Sequence, residues 1–407
     1  MSFMGTLHPH LYCFPMTMPR STSPLGKPSN LFWIATGVSG LFAAFNFANA
    51  FFLAYFPLFL EQIKFTPVQI AFVIALPNIV RIFATPIMTS ISDRAGRRRH
   101  SMALFSVVAL LSFWVLIYAS DYWVVIGLVI FLSIFYTPIQ PLQDAYAYET
   151  VHTLGLNYGP MRSWGSIAFV VATLIGGWYL SFGEPADLLF LTVGSLGLLA
   201  VVAVLLPGMP SESRSVTKES VWSAEELRDP QFLLVVLSGG LLLGSFSALY
   251  AFASIYWLSV GISDAMVGGL WALGTLAEIG IFVWGAFFLR HLGAWGLMVT
   301  GGVASIIRWL LFPFATEAWS AIILQLLHAG SFGMVFLGVV SYLSKLVSNK
   351  RLATAQGLFQ TAFGAVMGIS GIASGWLYEV EQAYAFYLMS GICMAGVLTL
   401  LLVSKRV

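Results

Sequence analysis

Charge is scarce in this chain. Only 9% of its 407 residues are Asp, Glu, Lys or Arg, against roughly 25% in a soluble globular domain. A solvated shell of the ordinary kind is therefore excluded. Cysteine is nearly absent. Cys13 stands in the leading segment and Cys393 near the other end, so there is no disulfide framework. The six histidines, His8, His10, His100, His152, His291 and His328, have no metal-ligand spacing. No Gly-rich phosphate loop follows a strand, which argues against ATP as an energy source. The sequence implies no cofactor and no metal, and it does not read as an enzyme. A formal net charge of +2 gives no ground for nucleic-acid binding. The first thirty residues are polar and rich in Pro, Ser and Thr, without the apolar core of a signal peptide. They read as a disordered cytoplasmic tail.

What the chain has is long apolar runs. Hydrophobic residues make up 59% of it. A run of about 18 or more apolar residues spans a bilayer core at 1.5 Å rise per residue. Twelve such runs lie at roughly 31–60, 68–92, 101–119, 123–151, 158–181, 187–206, 231–260, 265–289, 295–314, 318–346, 352–378 and 383–404. They must be helices, because lipid cannot satisfy the backbone of an open sheet. The expected fold class is thus an all-α membrane protein with twelve transmembrane helices. A polar segment, 207–230, divides a six-helix half at 31–206 from another at 231–407.

The placement of basic residues sets the orientation. With both ends cytoplasmic, the inner segments hold Arg20, Lys27, Arg94, Arg97, Arg98, Arg99, Arg214, Lys218, Arg228, Arg290, Lys345, Lys350, Arg351, Lys405 and Arg406, and the outer segments hold only Lys64. That is a strong positive-inside bias. The halves also echo each other. SDRAGRRRH after the second run and LRHLGAWG after the eighth bring Gly96 and Gly293 into register, and GGWYL (176–180) matches SGWLY (374–378). Repeated halves are a transporter signature, with the site between them near mid-membrane. Gly364, Gly368, Gly371 and Gly375 read as a close-packing stripe.

Against this apolar background a few charges lie deep in the runs: Arg81, Asp144, Glu149, Arg162, Glu278 and Arg308, joined by His328. Each costs at least ~2.5–3.5 kcal/mol at the bilayer centre without a partner or water. Residues equidistant from a turn share a depth. Asp144 and Arg162 are each nine residues from position 153, so they can pair near the cytoplasmic side. Glu278 and Arg308 are each fifteen from Gly293, and Arg308 and His328 each ten from Ala318. Glu278, Arg308, His328 and Arg81 are therefore expected in one layer, with Arg308 as the partner of Glu278. Histidine titrates near neutral pH, which suits proton coupling. Glu149 and His152 read as solvated at a helix end. Pro138 and Pro141 should bend the fourth helix ahead of Asp144, making Gln140, Gln143 and Asn46 further substrate candidates.

The segment SISDRAGRRRH, with Asp93, Gly96, Arg97 and Arg98, resembles the signature loop of the major facilitator superfamily, with Thr89 where a Gly is usual. The resemblance implies that this loop latches the two halves in the outward-facing state. Within the superfamily, Asp144 with Arg162 in YGPMRSWGS, and Glu278, Arg308 and His328, resemble the sugar site and proton-coupling set of the proton symporters related to lactose permease. The second Glu of that family, one turn after the His, is Ser331 here, so the proton role falls to Glu278. PNIVRIFATPIMTSISDRAGRRR with Arg81, YGPMRSWGSIAF and RLATAQGLF are closer to the phenylpropionate-permease branch. That branch implies import of a small aromatic acid with protons by a monomer in the inner (plasma) membrane. Symport of a sugar or nucleoside is the alternative. Proton-driven efflux is less favoured, because the fifth helix lacks the Gly-Pro element of drug antiporters.

Overall fold

The computed structural model describes residues 28–208, 225–348 and 351–403. Most of the expected tail and of the polar divider lies outside these residues, as do Cys13, Arg20, Lys27, Arg214, Lys218, Lys350, Lys405 and Arg406. The described chain holds twelve helical spans long and apolar enough to cross a membrane, close to the expected bounds.

Most spans are single helices: α1 (Pro28–Ala54), α3 (Pro67–Ala95), α4 (Arg98–Leu116), α7 (Tyr158–Leu180), α8 (Pro185–Leu205), α11 (Asp264–Val283), α15 (Leu352–Val380) and α16 (Gln382–Leu401), while α12 (Gly285–Leu311) runs across a kink at Gly293. Three are broken: α5 (Tyr122–Tyr136) into α6 (Ile139–Leu154), α9 (Pro230–Gly244) into α10 (Ser247–Ser259), and α13 (Ala318–His328) through a π-helical turn, Ala329–Met334, into α14 (Val335–Leu346). A short α2 (Phe56–Gln62) continues α1 past Tyr55. Prolines cause two of these breaks, because they remove a backbone donor and crowd the preceding turn. Pro57 opens α2, and Pro138 separates α5 from α6, where the sequence predicts a bend.

Local signals fix the helix ends. Thr66 caps α3 by accepting from the Gln69 amide, with Pro67 in the first turn. The Asp121 carboxylate accepts from the Trp123 and Val124 amides, each at 3.0 Å. Gly96 and Gly293, the pair aligned by the internal echo, both take left-handed backbone, at φ 62° and 68°. That conformation favours glycine.

In the first half α1 packs on α7 and α8, α4 on α8, and α5 on α3 and α4. In the second, α12 packs on α14 and α16, and α9 on α15 and α16. Two seams join the halves, α7 against α11 and α3 against α15. Both are lined by small residues at the end of the bundle opposite Gly96, here called the far end; the other is the loop end. A Cβ on Gly177 would stand 2.8 Å from the Gly268 Cα and from the Asp264 carbonyl. One on Gly375 would meet the Ala71 side chain at 2.5 Å, and one on Gly368 the Ile79 side chain at 2.8 Å. The glycine stripe of α15 is thus a packing surface, as expected. A third far-end contact crosses the halves: the Trp271 indole donates to Ser254 Oγ at 2.9 Å, and Ser254 Oγ donates to the Ala54 carbonyl at 2.6 Å. Toward the loop end the α3–α15 seam stops. A Cβ on Gly364 would still lie 3.5 Å from the Asn78 carbonyl, but Gly357, about two turns on, has nothing within 4 Å. The far end is closed and the halves part toward the loop end.

Candidate functional site

Five of the titratable groups deep in the apolar runs fall into two clusters, Asp144 with Arg162 in the first half and Glu278 with Arg308 and His328 in the second. In the first half, Tyr158 donates its hydroxyl to Asp144 Oδ1 at 2.9 Å. Tyr158 stacks face to face on Tyr148, with centroids 4.6 Å apart and planes 5° from parallel. The Arg162 guanidinium lies over the Phe42 ring, 5.2 Å from its centroid. The Asn46 amide donates to the Phe42 carbonyl at 2.9 Å. Gly165 makes room for this set: a Cβ there would be 2.6 Å from Asn46 Nδ2 and 2.8 Å from Arg162 Nη1. Asp144 and Arg162 come together but do not pair, because the three ion pairs closer than 4 Å among the described residues lie elsewhere. The phenol of Tyr158 has taken the carboxylate instead. Gln143 is 1% exposed, with neither amide atom hydrogen-bonded. Gln140 is half-buried beside the helix break.

The second-half cluster joins α11, α12 and α13. His328 Nε2 and Glu278 Oε2 stand 3.7 Å apart, close enough for an ion pair when the imidazole is protonated. Arg308 is fully buried. Its Nε donates to the Leu324 carbonyl at 3.0 Å and its Nη2 to Gln325 Oε1 at 2.6 Å. Gln325 passes the link on, donating to the Leu270 carbonyl at 2.8 Å. Arg308 Nη1 and His328 Nδ1 have no partner. Phe246, at the α9–α10 break, meets the guanidinium at 5.4 Å and the His328 ring edge-on at 5.4 Å. Gly274 allows α13 to approach α11, since a Cβ there would touch both Gln325 and His328.

The expected single layer is therefore displaced by about a turn. Glu278 meets His328 and not Arg308. Arg308 sits with Leu324 and Gln325, three or four residues nearer the far end, or ~5 Å at helical rise. The reason lies in the turns. The 3-10 turn after α12 ends at Phe314 and α13 starts at Ala318, so the connection centres on Thr316, which pairs Arg308 with Leu324. On the loop side, α11 ends at Val283 and residues 285–292 form a separate short helix up to the Gly293 kink, so Gly293 is not the centre of that connection.

Arg81 is half-buried on α3 with no hydrogen bond or ion pair among the described residues. One turn above it, Asn78 lines a narrow cavity with Ser247, Tyr250 and Met367. Tyr250 stacks on Trp271 with ring centroids 6.1 Å apart.

At the loop end, Arg98 pairs with Asp93 at 2.7 Å and with Glu149. Arg99 donates to the carbonyls of Val204, at 3.3 Å, and Leu206, at the end of α8, where a cation suits the helix dipole. Glu149 is thus a partner of the Arg run and not a solvated end residue. Burial decides this, since its side chain is only 17% exposed. These contacts tie α3, α4, α6 and α8 within the first half. Among the described residues, the contacts of Asp93, Arg98 and Arg99 thus stay within the first half and do not form the latch between halves that the loop's resemblance implies. Gly96, Arg97, Arg98, Arg99 and Glu149 line a cavity of about 210 Å³.

The sequence reading missed Tyr158, Tyr148, Gln325 and Tyr250. Two carried a signal. Tyr158 is four residues before Arg162 and Gln325 three before His328, spacings that put side chains on one helix face. Among the described residues no group of three His, Cys, Asp or Glu could hold a metal ion.

Comparison with known proteins adds four findings. Residues 40–389 match the model of the MFS_1 like family. The chain is 26% identical over 365 residues to a probable 3-phenylpropionic acid transporter of Escherichia coli (strain K12), covering 88% of this chain and 94% of that one. It is likewise 26% identical over 385 residues to the maltose permease of Geobacillus stearothermophilus, covering 92% and 96%. Among solved structures, a mutant form of the nucleoside transporter NupG superposes with a TM-score of 0.81 at 17% identity, over 91% of this chain and 99% of that one.

Proposed function

This chain belongs to the MFS_1 like family and is a multi-pass secondary transporter of the major facilitator type rather than an enzyme, and we propose that its cargo is a small aromatic carboxylate imported together with a proton. One observation carries the choice of an anion. Deep in the spans stand three guanidinium groups, Arg81, Arg162 and Arg308, and none lies within 4 Å of a carboxylate among the described residues. Only Asp144 and Glu278 oppose them at that depth, since Glu149 is already engaged by Arg98. One positive charge is left over while His328 is neutral. An unmatched charge at mid-membrane costs at least ~2.5–3.5 kcal/mol, and a monoanionic substrate offsets that cost where a neutral one does not. The likeness to the probable 3-phenylpropionic acid transporter supports an aromatic acid. The exposed Tyr148 ring offers a surface for its ring.

Proton coupling is assigned to Glu278 with His328, with Arg308 held beside them. A carboxylate and a neutral imidazole 3.7 Å apart carry one negative charge between them, and taking up one proton converts them to an ion pair of zero net charge, which releases it again by the reverse step. The loop end is taken as cytoplasmic, on the positive-inside bias, and the membrane as the inner membrane.

Proteoliposomes given 3-phenylpropionate and an inward proton gradient are expected to accumulate it, and accumulation should vanish when a protonophore is added. Uptake that ignores the gradient would remove the coupling. Uptake of maltose in place of the acid would favour the competing reading, symport of a neutral sugar, which the likeness to maltose permease keeps in view.

A further inference from the structure

Opposite charges a few ångströms apart in a low-dielectric interior attract strongly. Asp144 and Arg162 nevertheless stay apart, and the structure shows what holds each. The Asp144 carboxylate is held by the Tyr158 hydroxyl at 2.9 Å. The Arg162 guanidinium is held over the Phe42 ring and beside the Asn46 amide, in the space that Gly165 leaves. Tyr158 is fixed in turn from two sides, by the face of Tyr148 and by the edge of Phe42, 6.0 Å away at 88°. It also shares a helix face with Arg162, four residues on. The phenol is therefore clamped at the one position from which it can satisfy the carboxylate without the guanidinium.

From this arrangement we infer that Tyr158 is a positioning residue that keeps Asp144 from capturing Arg162, so that the guanidinium stays open for the carboxylate of the substrate. The inference deepens the carboxylate reading of the site and rests on it. A hydrogen bond to an ionised acceptor is among the stronger ones. Without it the buried carboxylate must find another donor, and Arg162 is the cation beside it. A contact pair between the two then occupies the bidentate face that a bound carboxylate needs. Tyr158 touches Asp144 and not the cargo, so its effect reaches the cargo only through the freedom of Arg162.

A double-mutant cycle on the purified full-length protein tests this, with 3-phenylpropionate and its neutral amide as probes in isothermal titration. Tyr158→Phe keeps the stack on Tyr148 and removes only the hydroxyl. It is expected to raise the Kd for the carboxylate by about tenfold or more, equivalent to 1.4 kcal/mol. The Kd for the amide should stay put. In the Asp144→Asn background the same substitution should change carboxylate binding by less than about twofold, because no anion remains to capture Arg162. A Tyr158→Phe protein that binds the carboxylate as well as wild type overturns the role of Tyr158 alone. So does an equal loss in both backgrounds, which marks a merely structural tyrosine. If the wild type binds neither probe, the carboxylate reading itself falls and this inference with it.

Discussion

Glu278→Gln is expected to abolish concentrative uptake while leaving exchange of solute across the membrane intact. Glu278 is a half-buried carboxylate in an apolar helix, with the His328 imidazole 3.7 Å away as its ion-pair partner. Glutamine keeps the length and shape of the side chain but has no proton to release near neutral pH. A carrier that moves its solute uphill must change its protonation between the loaded and empty forms. A carrier that swaps one solute molecule for another need not. At an imposed gradient of two pH units, one proton per solute sustains roughly 100-fold accumulation, at 1.4 kcal/mol per tenfold. The variant should fall to near unity, with counterflow exchange in preloaded vesicles within a few-fold of wild type. Accumulation equal to that of wild type would take Glu278 out of the coupling. Loss of exchange as well would mean that the side chain serves binding or closure.

The second large effect is expected at the far end. Gly268→Val should prevent closure there and stop net transport and exchange alike. A Cβ on Gly268 would stand 2.9 Å from the Gly177 Cα and 2.9 Å from the Tyr55 hydroxyl, and it would also press on the Thr173 carbonyl. Two of these three obstacles are backbone, which cannot rotate away, so α11 has to withdraw from α7. Withdrawal also separates Trp271 and Ser254 on the second half from the Ala54 carbonyl on the first. A cysteine placed at Ala54, fully buried here, reports the change. Its labelling by a membrane-impermeant maleimide should rise about tenfold or more in the Gly268→Val background. Unchanged labelling with full transport would show that the seam yields more easily than its backbone contacts imply. Because the added methyls meet a closed interface and not the substrate, binding from the far side should survive.

These two positions differ in how readily the sequence discloses them. A carboxylate amid apolar residues is conspicuous, since its cost in lipid allows few reasons for its presence, and Glu278, Arg308, Arg81 and Asp144 were all legible on that ground. The twelve spans were legible too, and the two glycines that the echo aligned, Gly96 and Gly293, both take positive φ. What could not be read was which charge meets which. Depth counted along a chain depends on where each turn lies. The eighth helix ends at Val283 where a run to 289 was expected, and the outer turn centres on Thr316 and not on Ala318; together these move Arg308 a full turn from Glu278 and give it to Gln325. Tyr158 was hidden for a different reason. A phenol costs little to bury when its hydroxyl is satisfied, so among fifteen tyrosines none stands out by type. Glu149 was misjudged because a charge near a helix end looks solvated until a neighbouring loop is seen to cover it.

The π-helical turn at Ala329–Met334 follows directly on His328. Such a turn closes from i to i+5 and winds more residues per circuit than the α-helix on either side. Loss of one codon from this stretch lets the span settle into continuous α-helix, with its length and hydropathy almost unchanged. The wide turn is what absorbs the extra residue, so its loss leaves His328 and α14 in nearly their present register and spares the contact with Glu278. Loss of a codon from the regular helix between Gln325 and His328, by contrast, turns the imidazole by roughly 100° against Gln325, one residue's share of a helical circuit. In this gene, two three-base deletions that a hydropathy plot scores alike would differ in whether the protein that inserts in the membrane keeps the pairing of its imidazole and carboxylate.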